Sequence, residues 1–221
     1  GGMTPDRSMV ERMADAIRHR GPDESGAFID RGITIAHRRL SIVGLADGQQ
    51  PIFNEDRTVA VIFNGELFDY PEQRTALEAH GHVFRTHTDT EIIVHLYEQY
   101  GDDFVTHLRG QFAIALYDMA QRRLILARDR TGICPLHWTR VGDRLLFASE
   151  IKALLASGLV DAQVDPLGID HVFTFFSMAR RRTMYAGVES MLPGHFMRIE
   201  LRPDGRPAEI VDRCYWDFDF P

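Results

Sequence analysis

Only two of the 221 residues are cysteine, Cys134 and Cys214, and they stand far apart in no metal-ligand spacing. That scarcity excludes a disulfide framework and a Cys-based zinc module, and it suits reduced thiols in a cytoplasmic protein. The ten histidines are scattered, and His19, His37, His80, His82, His87 and His95 form no HExxH or similar pattern, so no metal site is expected. No apolar run approaches the roughly 18–20 residues of a membrane span, and no signal-peptide pattern opens the chain. Positive charge is the minority sign, 25 Lys and Arg against 32 Asp and Glu, and the net charge of −7 disfavours nucleic acid or an anionic membrane as partner. The run Arg180-Arg181-Arg182 therefore reads as a solvated loop. Internal repeats and low-complexity linkers are missing too, so the length suits one core with at most a small appendage.

What is present is a sequence of alternating helical and strand patterns. Thr4-Pro5-Asp6 reads as an N-cap, a proline at the first helical position and a first-turn acid. Met9, Val10, Met13, Ala16 and Ile17 then recur at helical spacing up to His19, and Arg20-Gly21-Pro22-Asp23 breaks that helix. Strands are expected at 32–36 and 58–63, and helices at 70–79 and 89–100, closed by Gly81 and Gly101. Within 111–118, Phe112, Ile114 and Leu116 share one face while Ala113, Ala115 and Tyr117 share the other. Both sets are apolar, so this strand is covered on both sides. Residues 122–128 read as its hairpin partner, 144–148 as a strand, 150–156 and 165–176 as helices, and 195–201 with 209–216 as closing strands around Pro203-Asp204-Gly205. Strands buried on both faces and flanked by helices suggest two stacked sheets between helical layers. A three-layer α/β domain also fits the pattern.

Three islands carry chemistry, each with a plainer alternative. Arg39 closes His37-Arg38-Arg39 just after the 32–36 strand. A guanidinium can grip a carboxylate through two parallel hydrogen bonds, although a lone arginine is usually a solvated surface group. Asn64-Gly65 follows an apolar strand. Its side-chain amide and an unobstructed backbone N–H are the donors of an oxyanion hole, while local sequence alone favours an ordinary type I′ hairpin turn. Asp89 stands at the head of a helix, where its carboxylate, with Glu66, can accept an ammonium group or Thr88 or Asp89 can simply cap the helix.

Taken in order, the islands resemble one family. They are His19-Arg20-Gly21-Pro22-Asp23-Glu24-Ser25-Gly26, Arg39-Leu40-Ser41-Ile42-Val43 with Gly48-Gln49-Gln50-Pro51, Asn64-Gly65-Glu66-Leu67 and Thr88-Asp89-Thr90-Glu91. Further along come Leu108-Arg109-Gly110-Gln111-Phe112-Ala113, Ala127-Arg128-Asp129-Arg130 with Thr131-Gly132-Ile133, and Ala148-Ser149-Glu150-Ile151-Lys152-Ala153-Leu154. Met191-Leu192-Pro193-Gly194-His195 and Tyr215-Trp216 complete the series. From about residue 9 onward the chain is similar to the class II glutamine amidotransferase domain of glutamine-hydrolysing asparagine synthetases.

The resemblance implies an α+β, four-layer αββα sandwich of N-terminal-nucleophile hydrolase type, with two mainly antiparallel sheets. It also implies L-glutamine as substrate, with a mature N-terminal cysteine as nucleophile and its own α-amino group as general base. Carried over by position, Arg39 binds the glutamine carboxylate, Asn64 and Gly65 form the oxyanion hole, Glu66 and Asp89 hold the α-ammonium, and Leu40, Ser41, Ile42 and Val43 line the pocket. No cofactor is expected in this domain; ATP and Mg belong to a C-terminal synthetase domain, and a homodimer suits the family.

The chain opens Gly1-Gly2-Met3 and enters the family pattern some ten residues late, about one strand of sequence. Residues 1–208 thus read as the glutaminase domain without its first strand, and 209–221 as a final strand or a linker toward an ATP-pyrophosphatase domain. Neither internal cysteine supplies a free α-amino group. Phe68-Asp69, Cys134 and His137-Trp138 depart from the family pattern, which leaves the identity of the acceptor open. The alternatives are a pseudo-glutaminase scaffold and a relative from secondary metabolism that amidates another carboxylate.

Overall fold

The structure, a computed structural model, describes residues 6–40, 48–178 and 180–219. In chain order the elements begin with α1 (Arg7–Ala16), β1 (Glu24–Asp30), β2 (Ile33–Arg39), β3 (Ile52–Phe53), β4 (Val59–Leu67), α2 (Tyr70–Ala79) and α3 (Glu91–Tyr100). They continue with β5 (Gly110–Asp118), β6 (Arg123–Arg128), β7 (His137–Val141), β8 (Arg144–Ala148), α4 (Ile151–Ala156), α5 (Pro166–Phe175), β9 (Val188–Ser190), β10 (His195–Leu201) and β11 (Pro207–Cys214). All named strand pairs are antiparallel, which excludes the three-layer α/β alternative with its parallel crossovers.

A six-stranded sheet ordered β11-β10-β6-β5-β4-β3 forms one inner layer; the β1-β2 hairpin and the β8-β7-β9 sheet form the other. Phe63, Leu67, Phe112, Ile114 and Leu116 face α2 and α3, where they meet Leu77, Ile92, Ile93 and Leu96 in one buried cluster. Ala113, Ala115, Tyr117, Leu124 and Leu126 face the opposite way and pack on Ile33, Ile35, Leu136 and Met197 between the sheets. Beyond the second layer, Met13 of α1 and Ala153 and Leu154 of α4 close a third cluster on Leu146 and Val188. Helices, sheet, sheet, helices: the αββα order follows from which face of β5 each apolar set occupies.

Local signals explain most boundaries. Asp6 caps α1, its Oδ1 accepting the Met9 N–H at 3.0 Å, so it is the cap and not the first-turn acid expected of it. The expected cap Thr4 lies outside the described residues. Helix α1 stops at Ala16, and a 3₁₀ turn over Arg18–Arg20 carries the chain to Gly21. Helix α2 keeps the expected bounds, with Asp69 at its N-cap and Pro71 in its first turn. Helix α3 begins two residues later than expected, with Thr90 at the cap position. Strands β1, β3, β7 and β9 were not expected. Among the described residues no helix is long and apolar enough to cross a membrane.

Candidate active site

A cavity of about 570 Å³ opens between the two inner layers and the head of α3. It brings together the islands read from the sequence: Arg39, Leu40, Asn64, Gly65, Glu66 and Asp89 all line it. Leu40 is more than half exposed at its mouth. Ser41, Ile42 and Val43 lie outside the described residues.

Arg39 is not the solvated arginine of the plainer reading. It ends β2, is only 7% exposed, and its Nη1 donates to Glu24 Oε2 at 2.8 Å. Cross-strand register places the pair, because Glu24 and Arg39 are direct partners in the β1-β2 hairpin. The Arg20-Gly21-Pro22-Asp23 island forms the wall behind them: Asp23 N–H donates to the Arg39 carbonyl at 3.2 Å. A Cβ on Gly21 would fall 2.3 Å from the Arg38 and Arg39 backbone. Only glycine fits there.

Asn64-Gly65 is likewise not a hairpin turn. Strand β4 runs through it to Leu67, with Asn64 opposite Ala113 and Gly65 opposite Phe112. Phe68 donates to Arg109 and Met119 to Thr58, so residues 68 and 58, and every second position between them, exchange backbone bonds with β5. Phe63, Gly65 and Leu67 therefore point their N–H groups to the opposite edge. Phe63 N–H is taken by Gln50 Oε1 at 2.7 Å and Leu67 N–H by Asp89 Oδ2 at 3.0 Å. Gly65 N–H lies between those two, on the cavity side. Gly65 has φ +152°, and a Cβ there would stand 1.9 Å from the Gln111 carbonyl oxygen, so the position requires glycine. Beside it, Asn64 Nδ2 is buried with no hydrogen-bond partner among the described residues. A buried amide donor without an acceptor is costly and marks a place where a ligand atom belongs.

Asp89 is 6% exposed, and burial raises its carboxyl above the ordinary value of 3.8 despite the Leu67 and Thr90 hydrogen bonds. It does not cap α3; its carboxylate ties the helix head to β4 instead. Glu66 is exposed at the rim. Burial also pushes His37 down to about 4, so its ring is neutral and its Nε2–H donates to the Phe63 carbonyl at 3.2 Å.

Gln50 is a positioning residue that the motif reading quoted without a role. Its side-chain amide accepts from Phe63 N–H and donates to Phe63 C=O, as a neighbouring strand would, and so holds β4 straight where β3 has ended. Cys134 lines the apolar end of the cavity, and burial pushes its thiol up to about 11, leaving it protonated and poorly nucleophilic at neutral pH. Asp129, fully buried, accepts five hydrogen bonds from Phe112, Thr131, Ile133 and Cys134. Its island serves the frame of the cavity, not its chemistry.

Comparison with known proteins agrees with this geometry. The sequence pattern of a family described as "Glutamine amidotransferase domain" matches residues 2–210. The chain belongs to that family. It is 37% identical over 213 residues to asparagine synthetase [glutamine-hydrolyzing] 2 of Bacillus subtilis (strain 168), covering 94% of this chain and 28% of the relative. It is 38% identical over 213 residues to amidase chyE of Penicillium rubens, covering 96% of this chain and 30% of that protein. The chain thus spans about a third or less of the length of these relatives. Among solved structures, the glutamine phosphoribosylpyrophosphate amidotransferase from B. subtilis superposes with a TM-score of 0.68 at 18% identity, over 97% of this chain and 48% of that one. The expected N-terminal-nucleophile hydrolase-like fold is therefore present.

Proposed function

We propose that this domain hydrolyses L-glutamine to glutamate and hands the ammonia to an acyl-adenylate in a synthetase domain of the same protein. The observation that carries the reading is the buried, unpartnered Asn64 amide beside the cavity-facing Gly65 N–H. Two donors at one edge suit the oxyanion of a tetrahedral intermediate. Arg39, steadied by Glu24, takes the α-carboxylate, and Asp89 with Glu66 takes the α-ammonium, so one face of the cavity reads a free amino acid by both of its charges. The nucleophile in this reading is a cysteine at a free amino terminus. The apolar end of the cavity, lined by Met13, Ile35, Ala113, Ala115 and Leu136, supports a strand that carries it in between the two sheets.

Asparagine formation from aspartate, with ATP and Mg held by the synthetase domain, is the acceptor reaction we favour, since several relatives carry that activity in their names. The exposed phenylalanines at the end of α5, Phe173 and Phe175 in the helix and Phe176 at its C-cap, support that domain packing against this face.

Glutamine-dependent and ammonia-dependent synthesis by the full-length enzyme test the reading together. Arg39→Lys keeps the charge but loses the fork, and should cost about 1.5–3 kcal/mol, roughly ten- to a hundredfold in glutamine-dependent kcat/KM. Asn64→Ala should act more on kcat, because the oxyanion exists only near the transition state. Ammonia-dependent synthesis should stay near wild type in both variants. Equal loss of both activities would reassign these residues to the fold or the interface. Wild-type protein that binds glutamine without turning it over would mean a pseudo-glutaminase.

A further inference from the structure

Outside the cavity lining, where the turn between β3 and β4 meets the segment joining α2 to α3, four side chains converge: Glu55, His82, His95 and Glu98. Each offers a donor atom, and the four atoms lie within 4.8 Å of one another, which no other such group among the described residues matches. No local pattern in the sequence points to it. His95 and Glu98 share one face of α3, while Glu55 and His82 arrive from two separate loops.

Donor spacing is the first argument for a metal ion. Ligand atoms about 2.0–2.1 Å from a tetrahedral zinc ion stand roughly 3.3 Å apart. Here His95 Nδ1 lies 3.2 Å from Glu98 Oε2 and 3.5 Å from Glu55 Oε2. His82 Nδ1 lies 3.6 Å from Glu98 Oε2 and 3.8 Å from Glu55 Oε1. The first three distances fit edges of a slightly expanded tetrahedron; the fourth reaches the other Glu55 oxygen, and one donor atom from each residue lies within 4.8 Å of the rest.

Orientation of the donors is the second. His82 Nε2 is 3.3 Å from Gln99 Oε1; in the tautomer that donates there, the Nδ1 lone pair faces two carboxylates. A lone pair and two carboxylates repel unless a cation sits between them. His95 turns Nε2 toward the buried Glu91, but at 3.7 Å the two are beyond hydrogen-bond reach and Nε2 has no other partner among the described residues. Asn54 holds Glu98 Oε1 at 2.7 Å, and the Val83 N–H holds Glu55 Oε1 at 2.9 Å, so both carboxylates are fixed from outside the cluster. Three of the four ligand residues, His82, Glu98 and Glu55, thus have an outer hydrogen-bond partner.

We propose that Glu55, His82, His95 and Glu98 bind a divalent transition-metal ion, zinc by donor set, which clips the β3–β4 turn to α3 and steadies the 80–90 segment that carries Asp89. Two imidazoles and two carboxylates neutralise a dication and suit zinc better than magnesium or calcium, which favour all-oxygen sites. A closed set of four protein ligands makes the site structural. The rival is a proton. Burial opposes charge on His95, but Glu91, Glu98 and Glu55 outweigh it and hold its pKa up at about 9. One proton serves one nitrogen and its nearest oxygen; an ion serves all four donors at once.

Chelator-treated protein titrated with Zn²⁺ against a competing indicator should bind one equivalent with submicromolar affinity and gain thermal stability. Co²⁺ in its place should give the intense visible bands of four-coordinate cobalt. His82→Gln and Glu98→Gln, both at partly exposed positions, should each weaken zinc binding at least about tenfold, since even outer partners of a metal ligand are worth that much. His80→Gln, nearby and exposed, should leave binding unchanged. Absence of stoichiometric zinc uptake, a six-coordinate cobalt spectrum, or wild-type affinity in His82→Gln and Glu98→Gln would overturn the site and leave the proton-bridged cluster.

Discussion

At the residue scale, the cavity sets stability against binding, and Asp89 shows how. Burial raises its carboxyl, so the ionised form at neutral pH is a cost the fold carries. The sign follows from linkage. A raised folded-state value means the native state binds its proton more tightly, so the favourable contribution is complete below 3.8 and is lost as pH rises through the folded value. Asp89→Asn removes the ionisation and keeps an oxygen to accept from Leu67 N–H. The variant should therefore unfold at a higher temperature than wild type near pH 7, and the difference should shrink toward zero below pH 3.8, while glutamine binding weakens. Thermal unfolding across pH measures this; a variant less stable at pH 7 would mean the charge is compensated in the fold.

At the scale of elements, the loop from Asp129 to Cys134 hangs on one carboxylate. It accepts from four backbone N–H groups and one hydroxyl while fully buried. Asp129→Ala orphans those donors, and at roughly 1–3 kcal/mol for each that water cannot reach, the loss should be about 3 kcal/mol or more. The unfolding temperature should then fall by some 6–12 °C for a chain of this size. Glutamine affinity in protein that remains folded should change little, since Asp129 stands outside the cavity lining.

Elements also divide by how readable they were. Helix α2 was readable to its ends because Asp69, Pro71 and Gly81 punctuate it, and β5 because both of its faces are apolar. Strand β1 alternates half-buried and exposed positions with a glycine inside, and β3 and β9 are two and three residues long, too short for any period. Arg39, Asn64, Gly65 and Asp89 were legible as motif members. Their immediate partners were less so: Glu24 acts through cross-strand register and Gln50 through a side chain that mimics backbone, neither of which leaves a local pattern. The Glu55, His82, His95 and Glu98 cluster was invisible for the same reason, since three separate segments supply it.

At the scale of the whole molecule, α5 is the least finished surface. Its one buried residue is Gly168, where a Cβ would come 2.2 Å from the Thr183 carbonyl oxygen, and Phe173, Phe175 and Phe176 are 79%, 63% and 93% exposed. If a synthetase domain covers this face, Phe173→Ser with Phe176→Ser in the full-length enzyme should lower the unfolding midpoint, each lost burial being worth about 1.5–3 kcal/mol. An unchanged or raised midpoint would mean that the face stays in water.

The six-stranded sheet ends at β3, only two residues long, and past its end the free edge of β4 would ordinarily recruit an extended peptide. Gln50 closes one rung of that ladder and Asp89 the next but one, so the Gly65 amide stands alone between two occupied neighbours. An incoming strand needs consecutive rungs and finds a single one. A lone carbonyl-sized oxygen needs only that one. The edge is thereby a size filter: it turns away polymers, its own unfolded copies included, and admits a molecule with one oxygen to offer.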